Sequence, residues 1–312
     1  MGTSDVTKQY NQLINLRKDC KICVGLKNPF EVEKQFDVNE IGAWSKWKGD
    51  LDAKIVVVGQ DWGDENSYIS SKGVCDPNNA TNQRLVALLE SIGVSVENDK
   101  LFFTNAILCL KQGGLSGDVK IKWFNNCASH FLRPLLDTIK PEITITLGRK
   151  AYEAVVKVYN EKIMPFKEIV NQKDPHIIHS NDFYFKLFPV YHCGQLGLVN
   201  RNSELQFKDW DRIKEHVPIL EDKRIVEIKH QDNEFENWCK VNTNGFVFNY
   251  AKGTTGNVLH RVGCYHLNVQ ARKGRYTFHP KYCSNDLIKL SERADELSKT
   301  DGWRACKNCF KE

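Results

Sequence analysis

The sequence predicts a three-layer α/β/α fold with a central, mostly parallel four-stranded sheet, followed by a small, cysteine-rich α+β domain. Two observations predict the sheet. Residues 55–59 are an apolar, mostly β-branched run typical of a strand buried on both faces, and strand-like and helix-like segments alternate after it. A change in composition near residue 221 predicts the second domain. We therefore expect domains at residues 1–221 and 222–312.

The elements of the first domain are expected in the order that such a sheet requires. Strands are predicted at residues 54–59, 101–110, 143–147 and 183–192. The spacing of apolar residues predicts the helices, at 4–18, 81–93, 124–139, 150–159 and 203–216. In the second domain, two short strands are expected around the glycine-rich turn between residues 245 and 267.

Composition limits the classes of protein to which the chain can belong. No apolar run approaches the roughly 20 residues of a membrane helix, and the first residues lack the apolar segment of a signal peptide. The chain is therefore expected to be cytoplasmic with no membrane partner, and a monomer is expected without any feature of the sequence that decides it. Its net charge of +5 lies in residues 222–312, which contain 16 Lys and Arg against 11 Asp and Glu. Such an excess is typical of a surface that faces phosphate, or simply of a solvated face.

Polar side chains stand at the ends of the predicted strands. Asp61 follows the first strand, Asn105 lies in the second, and His192 ends the fourth. Because the carboxyl ends of parallel strands meet at one edge of a sheet, where ligands bind in open α/β folds, these three residues predict a functional site. A purely structural role, such as a helix cap at Asp61, would explain one of them but not their coincidence.

The chain has 11 cysteines, which is many for a cytoplasmic protein. Cys20 and Cys23 form one C-x2-C pair near the start, and Cys306 and Cys309 form another near the end. Two pairs so far apart indicate two separate metal sites, one in each domain. Buried free thiols are the alternative, and they suit the isolated cysteines better than the pairs.

Residues 15–216 resemble the uracil-DNA glycosylase superfamily. The resemblance lies in Gly59-Gln60-Asp61, which follows the first motif G-Q-D-P-Y-H of one branch, and in His192 with Leu196, which follow its last motif H-P-S-P-L. The iron–sulfur branch has an early C-x2-C, a T-N-x-x-x-C motif and a further cysteine. Cys20 and Cys23, Thr104-Asn105 with Cys109, and Cys127 follow that pattern. The chain thus combines the first motif of one branch with the cluster framework of the other.

The resemblance implies a role for each residue of the predicted site. Asp61 would align a water molecule and stabilise the positive charge that develops on the sugar, and His192 would donate a hydrogen bond to the departing base. The amide of Asn105 would read the edge of uracil or, flipped over, that of cytosine. Gln60, Gly63 and Tyr68 complete the expected base-binding set, with Tyr68 as the stacking aromatic and Trp62 as its alternative. No lysine occupies a recognised nucleophile position, so the reaction is expected to be monofunctional and to leave an abasic site.

DNA contacts are expected on both domains. The base must leave the helix, and Leu196 stands where the family places its intercalating leucine, with Gln195 beside it and Arg201 near phosphate. Without the resemblance, packing would be the more common role of such a leucine. In the second domain, Arg272, Lys273 and Arg275 lie close to aromatic residues in the sequence, a composition typical of DNA-backbone contacts.

Each metal site has a predicted set of ligands. By resemblance, Cys20, Cys23, Cys109 and Cys127 would hold a 4Fe–4S cluster, and zinc is the competing occupant. In the second domain, Cys264, Cys283, Cys306 and Cys309 predict a closed zinc site that staples a small fold, with His260 as a substitute ligand.

The identity of the base stays open at this point. Gly63 stands where one branch has a tyrosine that excludes bulk at the pyrimidine 5-position, so a larger base could enter, yet the iron–sulfur branch also has glycine there and acts on uracil. The mixed motifs and the added domain favour excision of modified cytosine, hydroxymethylated or glucosylated, from phage DNA as a defence activity. The alternatives are uracil removal in base-excision repair, a non-catalytic DNA-binding module, and a zinc-dependent HNH-type nuclease.

Overall fold

The structure, a computed structural model, describes residues 3–37, 39–112, 114, 119–217, 225–251, 256–267 and 273–310. The chain divides into two compact units, Met1–Leu220 and Glu221–Glu312. In the described residues no helix has the length and apolar character needed to cross a membrane.

The first unit is built on a sheet that contains five strands within the described part of the chain. Its strand order is β3-β2-β5-β7-β6, with all neighbours parallel except β6 and β7. A separate two-stranded ribbon pairs β1 with β4. The strands are β1 (Leu26–Lys27), β2 (Ile55–Asp61), β3 (Leu101–Ile107), β4 (Leu110–Lys111), β5 (Ile143–Leu147), β6 (His176–His179) and β7 (Tyr184–Val190).

Helices cover both faces of this sheet. They are α1 (Thr3–Lys18), α2 (Pro29–Val32), α3 (Ala43–Trp47), α4 (Glu65–Ser70), α5 (Ala80–Ser91), α6 (Ile121–Cys127), α7 (Arg133–Ile139), α8 (Arg149–Val158), α9 (Phe166–Asn171), α10 (Gln195–Asn200) and α11 (Ser203–Lys214). Side chains alternate along β2, so Val56 and Val58 pack in one core with α1, α6, α7 and α8. Ile55 and Val57 pack in the other core with α5 and α11.

The three-layer prediction is therefore confirmed, and three details differ. The segment predicted as one strand at residues 101–110 is two strands, β3 and β4, which belong to different sheets. The sheet has a fifth strand, β6, which the sequence analysis missed because its two isoleucines lie between histidines and make too short an apolar run. The helix predicted at residues 124–139 is interrupted, because a π-helical turn at Ala128–Leu132 separates α6 from α7.

The second unit contains a five-stranded sheet, in the order β12-β10-β9-β11-β8, as far as its described residues go. Its elements are β8 (Val226–Ile228), α12 (Asp232–Val241), β9 (Phe246–Asn249), β10 (Val258–Arg261), a 3-10 turn (Tyr265–Leu267), β11 (Lys281–Ser284), α13 (Leu287–Leu297) and β12 (Arg304–Ala305). The two strands expected around the glycine-rich turn are β9 and β10, which pair antiparallel.

Candidate active site

Asp61 ends strand β2 with its carboxylate held from both sides. Gln60 Nε2 donates a hydrogen bond of 2.7 Å to Oδ2, and Lys111 Nζ lies 3.0 Å from Oδ1. The Asp61 and Lys111 side chains are only 7% and 6% exposed, so little solvent screens the pair. The carboxylate is thus a fixed negative group at the carboxyl edge of the sheet.

Lys111 is a residue that the sequence analysis missed. It ends strand β4, and its backbone N–H donates to the carbonyl of Gly63 at 3.0 Å, which places the strand against the end of β2. The available signal was a lysine placed directly after an apolar run. That signal is weak because most such lysines reach solvent.

His192 lies two residues beyond strand β7 and is held as a neutral donor. The Gly194 N–H donates to its Nδ1 at 2.9 Å, so the proton of the neutral ring is on Nε2. Burial lowers the pKa of His192, and the nearby Asp61 charge opposes this only in part. The ring can therefore offer Nε2–H to a developing anion while it remains uncharged.

Asn105 lies beside the end of β2 because β3 is the parallel neighbour of that strand. Gly59 is its partner in register, and a β-carbon at Gly59 would lie 2.4 Å from Asn105 Oδ1. The amide thus rests directly on the glycine of the Gly-Gln-Asp motif. A side chain at that glycine would push the amide away.

A narrow cavity extends from Asn105 and is lined by aromatic side chains. Tyr68 and Trp62, the two candidates for the stacking aromatic, both line it, and so does Phe36. The rings of Phe36 and Tyr68 meet edge to face at 6.3 Å. The cavity measures about 20 Å³, room for about one water molecule, so a pyrimidine must displace some lining side chains. Trp62 Nε1 is buried and has no hydrogen-bond partner among the described residues.

Gly63 adopts a backbone conformation that favours glycine, with φ of +134°. Its carbonyl accepts the hydrogen bond from the Lys111 backbone. Backbone geometry is therefore one reason for glycine here, and Gly63 is not among the described residues that line the cavity at Asn105.

The segment after His192 exposes the predicted intercalating residue. Leu196 is 75% exposed on helix α10, and Gln195 beside it is also exposed. A β-carbon at Gly197 would lie 1.6 Å from the carbonyl oxygen of His192, so this short helix packs directly on the backbone of the histidine. Leu196 is thereby tied to the position of His192.

Arg201 does not lie free at this surface. Its Nε donates to Asp209 Oδ2 at 3.0 Å, and its guanidinium makes a second contact with Oδ1 at 2.5 Å. This two-point ion pair with a buried carboxylate fixes the guanidinium group, and the phosphate contact expected from the sequence stays a prediction. Nothing local in the sequence shows that Asp209, eight residues away, faces Arg201.

The four cysteines expected to hold a cluster line one cavity of about 200 Å³. Asn126 Nδ2 donates to Cys23 Sγ at 3.5 Å, and the Leu108 N–H donates to Cys127 Sγ at 3.3 Å. Burial raises the pKa of Cys109 to about 12, and the neighbouring thiols Cys20 and Cys23 add to this effect. A bound cationic group would supply the charge that holds such thiols as thiolates. Four thiols around one cavity are the type of donor that an iron–sulfur cluster or a zinc ion binds.

A second group of possible metal ligands lies in the C-terminal unit and differs in part from the predicted one. The ligand atoms of His260, Cys264, His266 and Cys306 all lie within 4.8 Å of one another. Cys309 lies beside them, with its Sγ 3.9 Å from the Cys306 carbonyl oxygen. Burial lowers the pKa of His260 to about 4, which keeps its ring in the neutral form that binds metals.

Cys283 is not part of this group, which corrects the predicted ligand set. It is fully buried in the hydrophobic core from strand β11, and burial raises the pKa of its thiol. His266 joins the ligand group instead, and His260, the substitute ligand, is also present. Spacing along the chain does not reveal which thiols of a strand face the core.

The basic residues predicted to contact DNA are exposed where the structure describes them. Lys273 and Arg275 are exposed, whereas Arg272 lies outside the described residues. Arg275, Lys281 and Arg304 line a cavity of about 890 Å³ in this unit. The location suits a polyanion, because no acidic side chain is among the described residues that line it.

Comparison with known proteins agrees with this geometry. No curated protein matches the chain. A model of the Uracil DNA glycosylase superfamily matches residues 47–214, the stretch that contains Asp61, Asn105 and His192. Because this match covers more than half of the 312 residues, the chain belongs to the uracil DNA glycosylase superfamily.

Proposed function

We propose that the chain is a DNA glycosylase that flips a non-standard pyrimidine out of DNA and hydrolyses its N-glycosidic bond, leaving an abasic site. Membership of the superfamily supports an enzyme that acts on N-glycosyl bonds in DNA. The observation that carries the proposal is the pairing of a fixed carboxylate, Asp61, with a neutral imidazole, His192, at the ends of strands in one sheet.

The reaction divides between these two residues. As the bond breaks, the sugar becomes positive and the departing base becomes negative. Asp61 faces the sugar, where its charge stabilises the cation and its oxygen orients the attacking water. His192 Nε2–H donates to the base oxygen that gains charge, and it keeps its proton because the Gly194 N–H occupies Nδ1.

Recognition of the base falls to the cavity at Asn105. The side-chain amide offers a donor and an acceptor, so it can pair with the edge of uracil or, when flipped, with that of cytosine. Tyr68, Phe36 and Trp62 supply aromatic faces for the flipped ring. The exposed side chain of Leu196 fills the gap that the flipped base leaves in the helix.

We favour modified cytosine, hydroxymethylated or glucosylated, in phage DNA as the substrate, which would make the activity a defence against viruses. Gly63 supports this choice because it carries no side chain at the position where bulk on the base would be excluded. Uracil in DNA, removed for repair, is the alternative substrate. The exposed basic residues Lys273 and Arg275 would hold the DNA backbone.

Both metal groups are proposed to stabilise the fold. A 4Fe–4S cluster on Cys20, Cys23, Cys109 and Cys127 would tie the N-terminal segment to the sheet and take no part in the reaction. Zinc would be held by ligands from the group around Cys264 and Cys306. A brown protein with broad visible absorption would identify the first site as a cluster, because zinc is colourless.

The proposal is tested with duplexes that contain uracil, 5-hydroxymethylcytosine or glucosylated 5-hydroxymethylcytosine. The freed base is identified by mass, and abasic sites are revealed by alkali. Asp61→Asn should reduce base release by at least about a thousandfold with DNA binding retained, whereas the control Asp52→Asn, at an exposed ion pair with Lys100, should not. Release of uracil alone would reject the modified-cytosine substrate. Binding without release of any base would favour a non-catalytic DNA-binding module.

Leu196 is tested separately. Leu196→Ala should slow release from duplex DNA more than from single-stranded DNA, because only a duplex has a gap to fill. Leu16→Ala removes a similarly exposed leucine from helix α1 and should change neither rate. Equal slowing on both substrates would assign Leu196 to packing.

A further inference from the structure

Hydrolysis of the N-glycosidic bond uses the Asp61 carboxylate but does not need the Lys111 amine that is paired with it. Both side chains are almost fully buried, and burying a charged pair rarely makes a protein more stable than an apolar pair of the same size. The positive charge of Lys111 also opposes the positive sugar that Asp61 would stabilise. Neither the stability of the fold nor hydrolysis explains a lysine at this position.

The position of the amine suits contact with the sugar. Lys111 Nζ lies 3.0 Å from Asp61 Oδ1, so the two side chains share one site at the end of β2. The backbone contact between Lys111 and Gly63 anchors the lysine there. A sugar carbon positioned against the Asp61 carboxylate therefore lies within reach of this amine.

We propose that Lys111 is the nucleophile of a second activity, in which its amine forms a Schiff base with the abasic sugar and cleaves the DNA strand on the 3′ side. Amines of lysine react in this way with carbonyl carbons when they are held near them in their neutral form. This inference rests on the proposed function, because base release at the same site produces the abasic sugar. It replaces the expectation of a monofunctional enzyme, which was based on the apparent lack of a suitable lysine.

The first step forms the Schiff base. Asp61 accepts a proton from the Lys111 ammonium, and the Nζ lone pair adds to C1′ of the ring-opened sugar. Asp61 returns this proton to the former carbonyl oxygen and then passes a second proton from Nζ to the resulting hydroxyl group, which leaves as water while the C1′=Nζ iminium forms. The carboxylate thus carries two protons in turn from the amine to the oxygen across the contact that the structure shows.

The second step breaks the strand. Asp61 removes a proton from C2′, the electron pair forms the C2′=C3′ bond, and the C3′–O bond breaks to release the 3′ phosphate. Water then adds to C1′, and the C1′–Nζ bond breaks, which restores Lys111 and leaves an unsaturated aldehyde. The water added here replaces the one released when the Schiff base formed, so the reaction consumes no water overall and needs no oxidant or reductant.

Borohydride trapping tests this proposal. A labelled duplex with a preformed natural abasic site is mixed with the full chain and sodium borohydride, which reduces an iminium to a stable protein–DNA bond. A duplex with a tetrahydrofuran abasic analogue, which has no aldehyde, serves as the DNA control. The attachment site is located by mass spectrometry of peptides, and base release from modified or uracil-containing duplexes is measured in parallel.

The expected result is a covalent adduct at Lys111 with the natural abasic site only. Lys111→Arg retains a positive charge for Asp61 but is not a nucleophile, so the adduct should fall by at least about a hundredfold. Lys27→Arg is the matched control, because Lys27 lies on the strand that pairs with β4 and has its own acidic partner, Glu65, at 2.6 Å. Visible absorption and thermal melting would show that both variants are folded.

The possible outcomes separate the two proposals. Base release without a trapped adduct would overturn the role of Lys111 and leave the glycosylase standing. An adduct at another lysine or at the N-terminal amine, with strand cleavage unchanged in Lys111→Arg, would also overturn it. An adduct at Lys111 without base release from any substrate would count against the proposed function alone.

Discussion

Replacing Asp61 by asparagine should destabilise the first unit as well as stop base release. At 3.0 Å the attraction between Asp61 and Lys111 is about 5.5 kcal/mol at an effective dielectric constant of about 20. Part of this offsets the cost of burying both charges, and removal of one partner of a buried pair costs about 3–5 kcal/mol. Lys111 and Gln60 contact different oxygens of the carboxylate, so in asparagine one of these two donors would face the side-chain NH2 group, which cannot accept a hydrogen bond. We therefore expect Asp61→Asn to cost about 3 kcal/mol.

A double-mutant cycle measures this coupling. Lys111→Met leaves the Asp61 charge buried without its partner and should lower the free energy of unfolding by a similar amount. The double variant, Asp61→Asn with Lys111→Met, should have a free energy of unfolding within about 2 kcal/mol of wild type. Native-state hydrogen exchange of peptides from strands β2 and β3, followed as urea is added, reports the free energy of opening of this unit by itself. The reasoning would be refuted if each single variant lost less than about 1 kcal/mol of unfolding free energy and the two losses summed to that of the double variant within about 0.5 kcal/mol. The pair would then be screened by solvent.

Three further predictions concern the base pocket, the histidine and the C-terminal metal group. Gly59→Ala should lower kcat/KM for base release at least about tenfold, because the new methyl group would displace the Asn105 amide and cost it a hydrogen bond to the base. Burial lowers the pKa of His192 in the folded chain below the ordinary histidine value of about 6.5. The neutral ring therefore contributes to the free energy of unfolding above about pH 6.5, and this contribution is lost as the pH falls through the pKa of the folded state. The stability advantage of wild type over His192→Gln, measured by the same hydrogen exchange, should therefore be constant at neutral pH and shrink in acid; a constant difference down to pH 4 would contradict it. Metal analysis of the purified chain should find that Cys306→Ser loses one zinc ion and that Cys283→Ser retains it; equal loss in both variants would restore Cys283 to the ligand set.

Much of the fold was predictable because its signals are local and periodic. The buried run of β2 and the helical spacing of Leu85, Leu88 and Leu89 in α5 each indicate one type of element, and their alternation leaves a parallel sheet covered by helices as the natural arrangement. Strand β6 was missed since an edge strand needs only one buried face and so carries a weaker pattern. The break at Ala128–Leu132 was missed because buried apolar residues continue through it, at Ala128, Phe131 and Leu132.

The candidate site was predictable only in part, and the physical reason is the same for each missed residue. Asp61, Asn105 and His192 could be found by sequence because they stand at strand ends, and parallel strands bring such ends to one edge whatever the rest of the chain does. Lys111 and Phe36 reach the site through pairings between distant segments, such as that of Leu26 with Lys111, which no local pattern encodes. Likewise, the backbone path through β10 and the turn after it brings His266 to the C-terminal metal group, while strand β11 buries Cys283 in the core.

The sequence alone therefore determined the alternation of strands and helices that makes the three-layer fold, the edge of the sheet where chemistry is expected, and the superfamily to which the chain belongs. The tertiary structure alone decided that a buried lysine shares the site of the proposed catalytic carboxylate, that Arg201 is occupied by Asp209, and that a histidine takes the place of a cysteine at the second metal group. The first set depends on periodicity along the chain, which sequence records directly. The second depends on which side chains meet across long loops, and that is settled only when the whole core packs.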